Sequence, residues 1–163
     1  MQKNPFSTPE SCAFRGPRNG TCADGKPTSL YTIHNASGME AHISDYGGLL
    51  VSLLVPDRDG KLRDVVMGYD TLAGYEHGKT YCSALVGRNA NRIRGGRFTM
   101  DGVEYRLHQN EGTNNLHSGP DGFDSRLWHV KQKADNSLKL TLFSPDGDQG
   151  YPGNLRVTVT YAL

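Results

Sequence analysis

The sequence predicts an all-β fold, an antiparallel β-sandwich, and three observations carry that prediction. Glycine and proline are frequent, at 20 and 8 of 163 residues, which suits many short strands joined by turns better than long helices. Apolar and polar residues alternate in segment after segment, the period of a strand covered on one face. No segment holds a persuasive 3.6-residue apolar period. There is also no repeat and no internal linker, so residues 23–163 read as one folded unit. Residues 1–22, polar and proline-bearing, read as a poorly ordered N-terminal extension.

Taken in order, Tyr31-Thr32-Ile33 and Met39 to Ile43 flank Asn35-Ala36-Ser37-Gly38, a hairpin. Leu49 to Val55 is apolar on both faces, as expected of a strand covered on two sides, and Pro56 to Gly60 ends it with turn residues. Asp64 to Met67 reads as a further short strand. Asp70 to Gly78 lacks alternation and reads as one helical turn. Ser83 to Val86 follows as another strand signal. Arg97 to Met100 and Val103 to Leu107 are joined by Asp101-Gly102, a strong two-residue hairpin signal because both positions favour positive φ. Arg126 to Gln132 alternates around Leu127, Trp128 and Val130. Leu138, Leu140 and Leu142 share one face of a strand, and Leu155 to Tyr161 alternates in the same way. A last strand that runs into the C-terminus would leave an unpaired edge, so the sequence reads as cut within a sheet.

Charge excludes some partners. The 18 basic and 17 acidic residues are interspersed, net +1, with no basic block to suit a phosphate backbone, so no nucleic-acid partner is expected. Apolar runs fall far short of the roughly 20 residues that span a bilayer, so no membrane partner is expected. The N-terminus has no apolar leader core, which sets the expectation of a cytoplasmic protein. Cys12, Cys22 and Cys82 form an odd set. A Cys12–Cys22 bridge is conceivable, but free thiols in a reducing compartment are the preferred reading. The histidines lack metal-ligand spacing, and Asp146 to Gly150 reads as a turn rather than a calcium loop. No metal is expected. Phosphate-cradling glycine motifs and a nucleophile elbow are absent too.

The chemistry concentrates in Gly87-Arg88-Asn89-Ala90-Asn91-Arg92-Ile93 and Leu116-His117-Ser118-Gly119. Arg92 offers five donors in a rigid fork, and Asn91 adds a donor and an acceptor. Such groups suit adjacent hydroxyls. On spacing alone, an Arg92 paired with a carboxylate at a strand end is the stronger reading. An imidazole can donate or accept a proton, and His117 sits on a loop. It reads equally well as a half-buried histidine bonded to the backbone. Two turns between residues 93 and 115 would return His117 to the face that holds Asn91 and Arg92.

An ordered series of segments resembles the aldose 1-epimerase (galactose mutarotase) family. These are Ser44-Asp45-Tyr46-Gly47-Gly48, Val55 to Lys61, Asp64 to Asp70, Gly87 to Ile93, Arg97 to Gly102, Asn114 to Gly119, Gly122-Phe123-Asp124, Trp128 and Ser144 to Gly153. The resemblance implies the N-terminal half of a galactose-mutarotase-like supersandwich whose concave face holds a free hexose, galactose or glucose. It implies that Asn91, Arg92 and His117 bind the substrate, with His117 also this chain's catalytic candidate, near the reacting end of the sugar. It implies an isomerase without cofactor that interconverts α and β anomers by general acid/base ring opening. The family's glutamate base, its second histidine and its substrate-gripping aspartate have no counterpart in this chain. Two expectations follow: the isolated chain does not accelerate mutarotation, and it self-associates through an exposed sheet. The alternatives are a non-catalytic carbohydrate-binding module and a relative acting on hexose 6-phosphates, for which Arg88 and Arg94 lie nearby.

Overall fold

The computed structural model of the chain describes residues 19–78 and 80–163. Its strands are β1 (Asn19–Thr21), β2 (Pro27–His34), β3 (Glu40–Ser44), β4 (Leu50–Pro56), β5 (Leu62–Asp64), β6 (Arg92–Ile93), β7 (Arg97–Met100), β8 (Val103–Arg106), β9 (Asn115–Leu116), β10 (His129–Ala134), β11 (Ser137–Ser144) and β12 (Leu155–Ala162). Among the described residues one α-helix, α1 (Leu72–His77), follows β5. Strands β1 to β5 form one antiparallel sheet in chain order, and β10 to β12 form a second.

The turns follow from side chains that replace backbone partners. In the β2–β3 hairpin, Asn35 Oδ1 accepts from the Ser37 and Met39 amides. After β4, Asp57 Oδ1 accepts from the Asp59 and Lys61 amides. These are the local bonds that make Asn and Asp turn formers. Between β7 and β8, Asp101 (φ 51°) and Gly102 (φ 78°) both adopt the left-handed conformation that the dipeptide predicts.

Two layers meet at one core. Ile33, Ala41 and Ile43 from the larger sheet pack against Leu138 and Leu140 of β11, with Phe123 and Trp128 alongside. Leu138 and Leu140 are fully buried, and each is worth roughly 1.5–3 kcal/mol relative to exposure. Leu142, Val157, Val159 and Tyr161 extend the same face, half-buried. Trp128 ties the layers together: its amide donates to Asp45 O (2.8 Å) and its indole N–H to Phe123 O (3.1 Å). Tyr161 Oη donates across the layers to Gly48 O at 2.9 Å. The all-β sandwich is therefore as the sequence predicts.

Several expectations shift. Residues 19–22, set apart with the extension, join the sheet through β1, and Cys22 is buried. Residues 1–18 lie outside the described residues, and with them any bridge from Cys12. The strand expected at Asp64 to Met67 ends at Asp64. The Asp64 carboxylate accepts from the Leu53 and Val66 amides, which turns the chain off the edge and leaves Val65 and Met67 exposed. Ser83 to Val86 is no strand: isolated bonds, Leu50 N–H to Ser83 O and Leu85 N–H to Gly47 O, pin it across the sheet instead. The strand expected from Arg126 begins only at His129.

Candidate functional site

The Asn-Arg segment and the histidine loop are brought together by β6 and β9. Arg92 pairs with Leu116, and Ile93 with Asn115. Beyond the ladder, His117 N–H donates to Asn91 O, and the Asn91 amide donates back to His117 Nδ1, both at 3.0 Å. The intervening chain returns through two turns, the β7–β8 hairpin and the tight turn of residues 111–114.

That reciprocal pair fixes what His117 can do. An amide N–H can only donate, so Nδ1 is an acceptor, and the neutral ring carries its hydrogen on Nε2. His117 is held as a donor through Nε2. Its ring packs edge-on against Tyr81, with centroids 4.3 Å apart. Tyr81, Asn91, His117 and Ser118 all adopt positive φ, between 51° and 72°. Side chains other than glycine rarely sit there, and such strain persists only where the surroundings hold it.

A buried polar layer does the holding. Ser118 is 2% exposed and Asn115 fully buried. Ser118 Oγ accepts from the Asn89 amide at 2.7 Å and contacts Tyr151 Oη. Tyr151 Oη donates to Asn115 Oδ1, and Asn115 Nδ2 donates to His108 O. Arg88 anchors the loop that carries Tyr151. Its guanidinium donates to Ser144 Oγ and to the carbonyls of Ser144, Pro145, Pro152 and Gly153, all within 2.8–2.9 Å. Arg126 grips Asp148 of the same loop through two bonds of 2.6 Å, which hold the Asp148 carboxyl below the usual carboxylate range.

Arg92 confirms the ion pair that its spacing suggests. Nε and Nη2 donate to the two Glu111 oxygens at 2.6 and 2.5 Å, and Nη1 donates to Asn91 Oδ1 at 3.2 Å. Arg92 also lowers the Glu111 carboxyl. Both side chains are open to solvent, 54% and 36% exposed. A concavity of about 650 Å³ near Cys22, Tyr46, Glu76 and Arg126 includes none of Asn91, Arg92 or His117. The three candidates therefore lie together on an open surface, linked through Asn91. Glu111 and Tyr81 join them without any signal in the spacing, whereas Ser118 and Tyr151 fall within stretches that the sequence singles out. Behind them, burial raises the Asp124 carboxyl, whose Oδ1 has no hydrogen-bond partner among the described residues. Among the described residues no group of three or more metal-ligating side chains occurs.

The model of one family, aldose 1-epimerase, matches residues 29–163. The chain belongs to the aldose 1-epimerase family. It is 41% identical over 140 residues to aldose 1-epimerase of Escherichia coli K12, covering 86% of this chain and 40% of that protein. To galactose mutarotase of Rattus norvegicus it is 47% identical over 125 residues, 77% of this chain and 36% of that one. Among solved structures, an aldose epimerase homologue from C. elegans superposes with a TM-score of 0.78 at 34% identity, covering 83% of this chain and 42% of the other. Galactose 1-epimerase from Lactobacillus acidophilus gives 0.77 at 30% identity, with 89% and 43% covered. The chain thus spans about two fifths of the length of these aldose 1-epimerase relatives.

Proposed function

We propose that this chain supplies the sugar-gripping part of an aldose 1-epimerase site that takes a free hexose. The observation that carries the reading is the reciprocal Asn91–His117 pair, held in strained backbone next to Arg92. Asn91 and Arg92 hold neighbouring hydroxyls, and His117 Nε2–H donates to a sugar oxygen near C1. Epimerisation removes the proton from the C1 hydroxyl and delivers one to the ring oxygen. The C1–O5 bond breaks to an aldehyde, C1 rotates about C1–C2, and the ring closes on the other face. A positioned acid and a positioned base are each typically worth ~10²–10⁴-fold.

The same geometry favours binding over turnover in the chain taken by itself. His117 is arranged as a donor, and Glu111, the carboxylate among these residues, is engaged by Arg92. Arg88, whose donors meet protein acceptors, is a poor phosphate ligand, which argues against the hexose 6-phosphate alternative.

Calorimetric titration of galactose and glucose into the 163-residue chain, with polarimetry in parallel, tests the reading. Saturable hexose binding is expected, weakened about tenfold, or ~1.4 kcal/mol, by Arg92→Ala and by His117→Ala. No acceleration of mutarotation is expected. Folded variants that bind hexose as the parent does would refute the site. Catalysis dependent on His117 would refute the division between binding and turnover.

A further inference from the structure

We propose that Glu111 sets the charge selectivity of this surface, keeping it a site for neutral sugars and against sugars bearing a carboxylate or phosphate. The inference rests on the hexose-binding reading and names the substrate class that the site admits.

Three features of Glu111 support it. First, its carboxylate meets Arg92 side-on, through both oxygens, in the bidentate fork that a carboxylate or phosphate of a ligand would otherwise occupy. An anionic sugar would have to displace a tethered carboxylate that is already in place. Second, the tether is rigid. The amide and carbonyl of Glu111 bond those of Asn114 across the 111–114 turn, and Asn114 Oδ1 accepts from Gly95 N–H on the segment after β6. Third, the pair leaves Nη1 of Arg92 pointing at Asn91 Oδ1. The outward lone pairs of Glu111 remain acceptors for a hydroxyl. The Asn91–Arg92–Glu111 row then offers donors and acceptors at no net charge, as a polyhydroxylated neutral ligand requires. Glu111 is a positioning and specificity residue; no proton transfer is assigned to it.

The test compares galactose, galacturonate and galactose 6-phosphate as ligands of the 163-residue chain and of Glu111→Gln. Glutamine keeps the shape of the side chain and one acceptor for Arg92. Arg94, exposed on the turn after β6, stays in place in both proteins, so any difference belongs to position 111. The parent is expected to bind galactose and to bind the two anions at least tenfold more weakly. In Glu111→Gln the affinity for the anions should rise roughly five- to tenfold at low ionic strength, since a unit charge a few ångströms from the ligand is removed. That gain should fade in molar salt, where the screening length falls to about 3 Å. A merely structural Glu111 would change all three affinities alike and without salt dependence. Unchanged discrimination in a folded Glu111→Gln, or a parent that prefers the anions, overturns this inference while leaving hexose binding intact. A parent that binds no sugar at all removes both.

Discussion

Replacing Arg88 with methionine should loosen the platform beneath the site, and the size of the effect can be worked from its bonds. Five acceptors receive the guanidinium: Ser144 Oγ and four carbonyls between Ser144 and Gly153. The bonds to Pro145 O and Gly153 O are exposed, so water replaces them at little loss. The bonds to Ser144 Oγ, Ser144 O and Pro152 O are part-buried. At a net ~0.5–1.5 kcal/mol each, their loss comes to about 2–4 kcal/mol, with the methionine retaining much of the aliphatic packing. For a domain of this size each kcal/mol moves the melting point by roughly 2–4 °C, so a fall on the order of 10 °C is expected in a circular-dichroism melt. Arg88→Lys should recover little, because an ammonium on a flexible stem cannot serve five acceptors spread over two segments. A Met variant that melts within about 2 °C of the parent would refute the argument.

Two further outcomes follow. Burial raises the Asp124 carboxyl, so its folded pKa lies above the unfolded value of about 3.9. The folded chain then binds the extra proton, and stability falls as pH rises through that interval. Asp124→Asn should be more stable than the parent at pH 7 and show no advantage at pH 3; thermal melts at both values check it, and an equal difference at both would count against the sign. A methyl group on Gly122 would lie 2.5 Å from Asp124 Oδ1 and 2.8 Å from His117 O. Gly122→Ala must therefore displace the His117 loop, at roughly 1–3 kcal/mol by thermal unfolding, with weaker hexose binding by calorimetry; unaltered affinity would detach that loop from the sugar.

Much of the fold was legible because strand alternation and turn chemistry are local. Leu138, Leu140 and Leu142 declare a face by period alone, and Asp101-Gly102 declares a hairpin by its φ preference. The misjudged segments are those in which a distant partner decides. Ser83 to Val86 has strand composition, yet Leu85 N–H bonds Gly47 O and not a ladder. Asp64 to Met67 looks continuous, yet the Asp64 carboxylate caps Leu53 and Val66 and stops it.

For the site, sequence alone determined the candidate residues and the family they resemble, because residue types and their chain order are properties of the string. It also showed that Arg92 suits either a hydroxyl or a carboxylate, the carboxylate being favoured on spacing alone, without naming the partner. Tertiary structure made the choice. It brought Glu111 onto Arg92 from 19 positions away and Asn91 onto His117 from 26, fixing one ring nitrogen as acceptor and the other as donor. Hydrogen bonds depend on distance and angle in space, and the pairing of β6 with β9 supplies both.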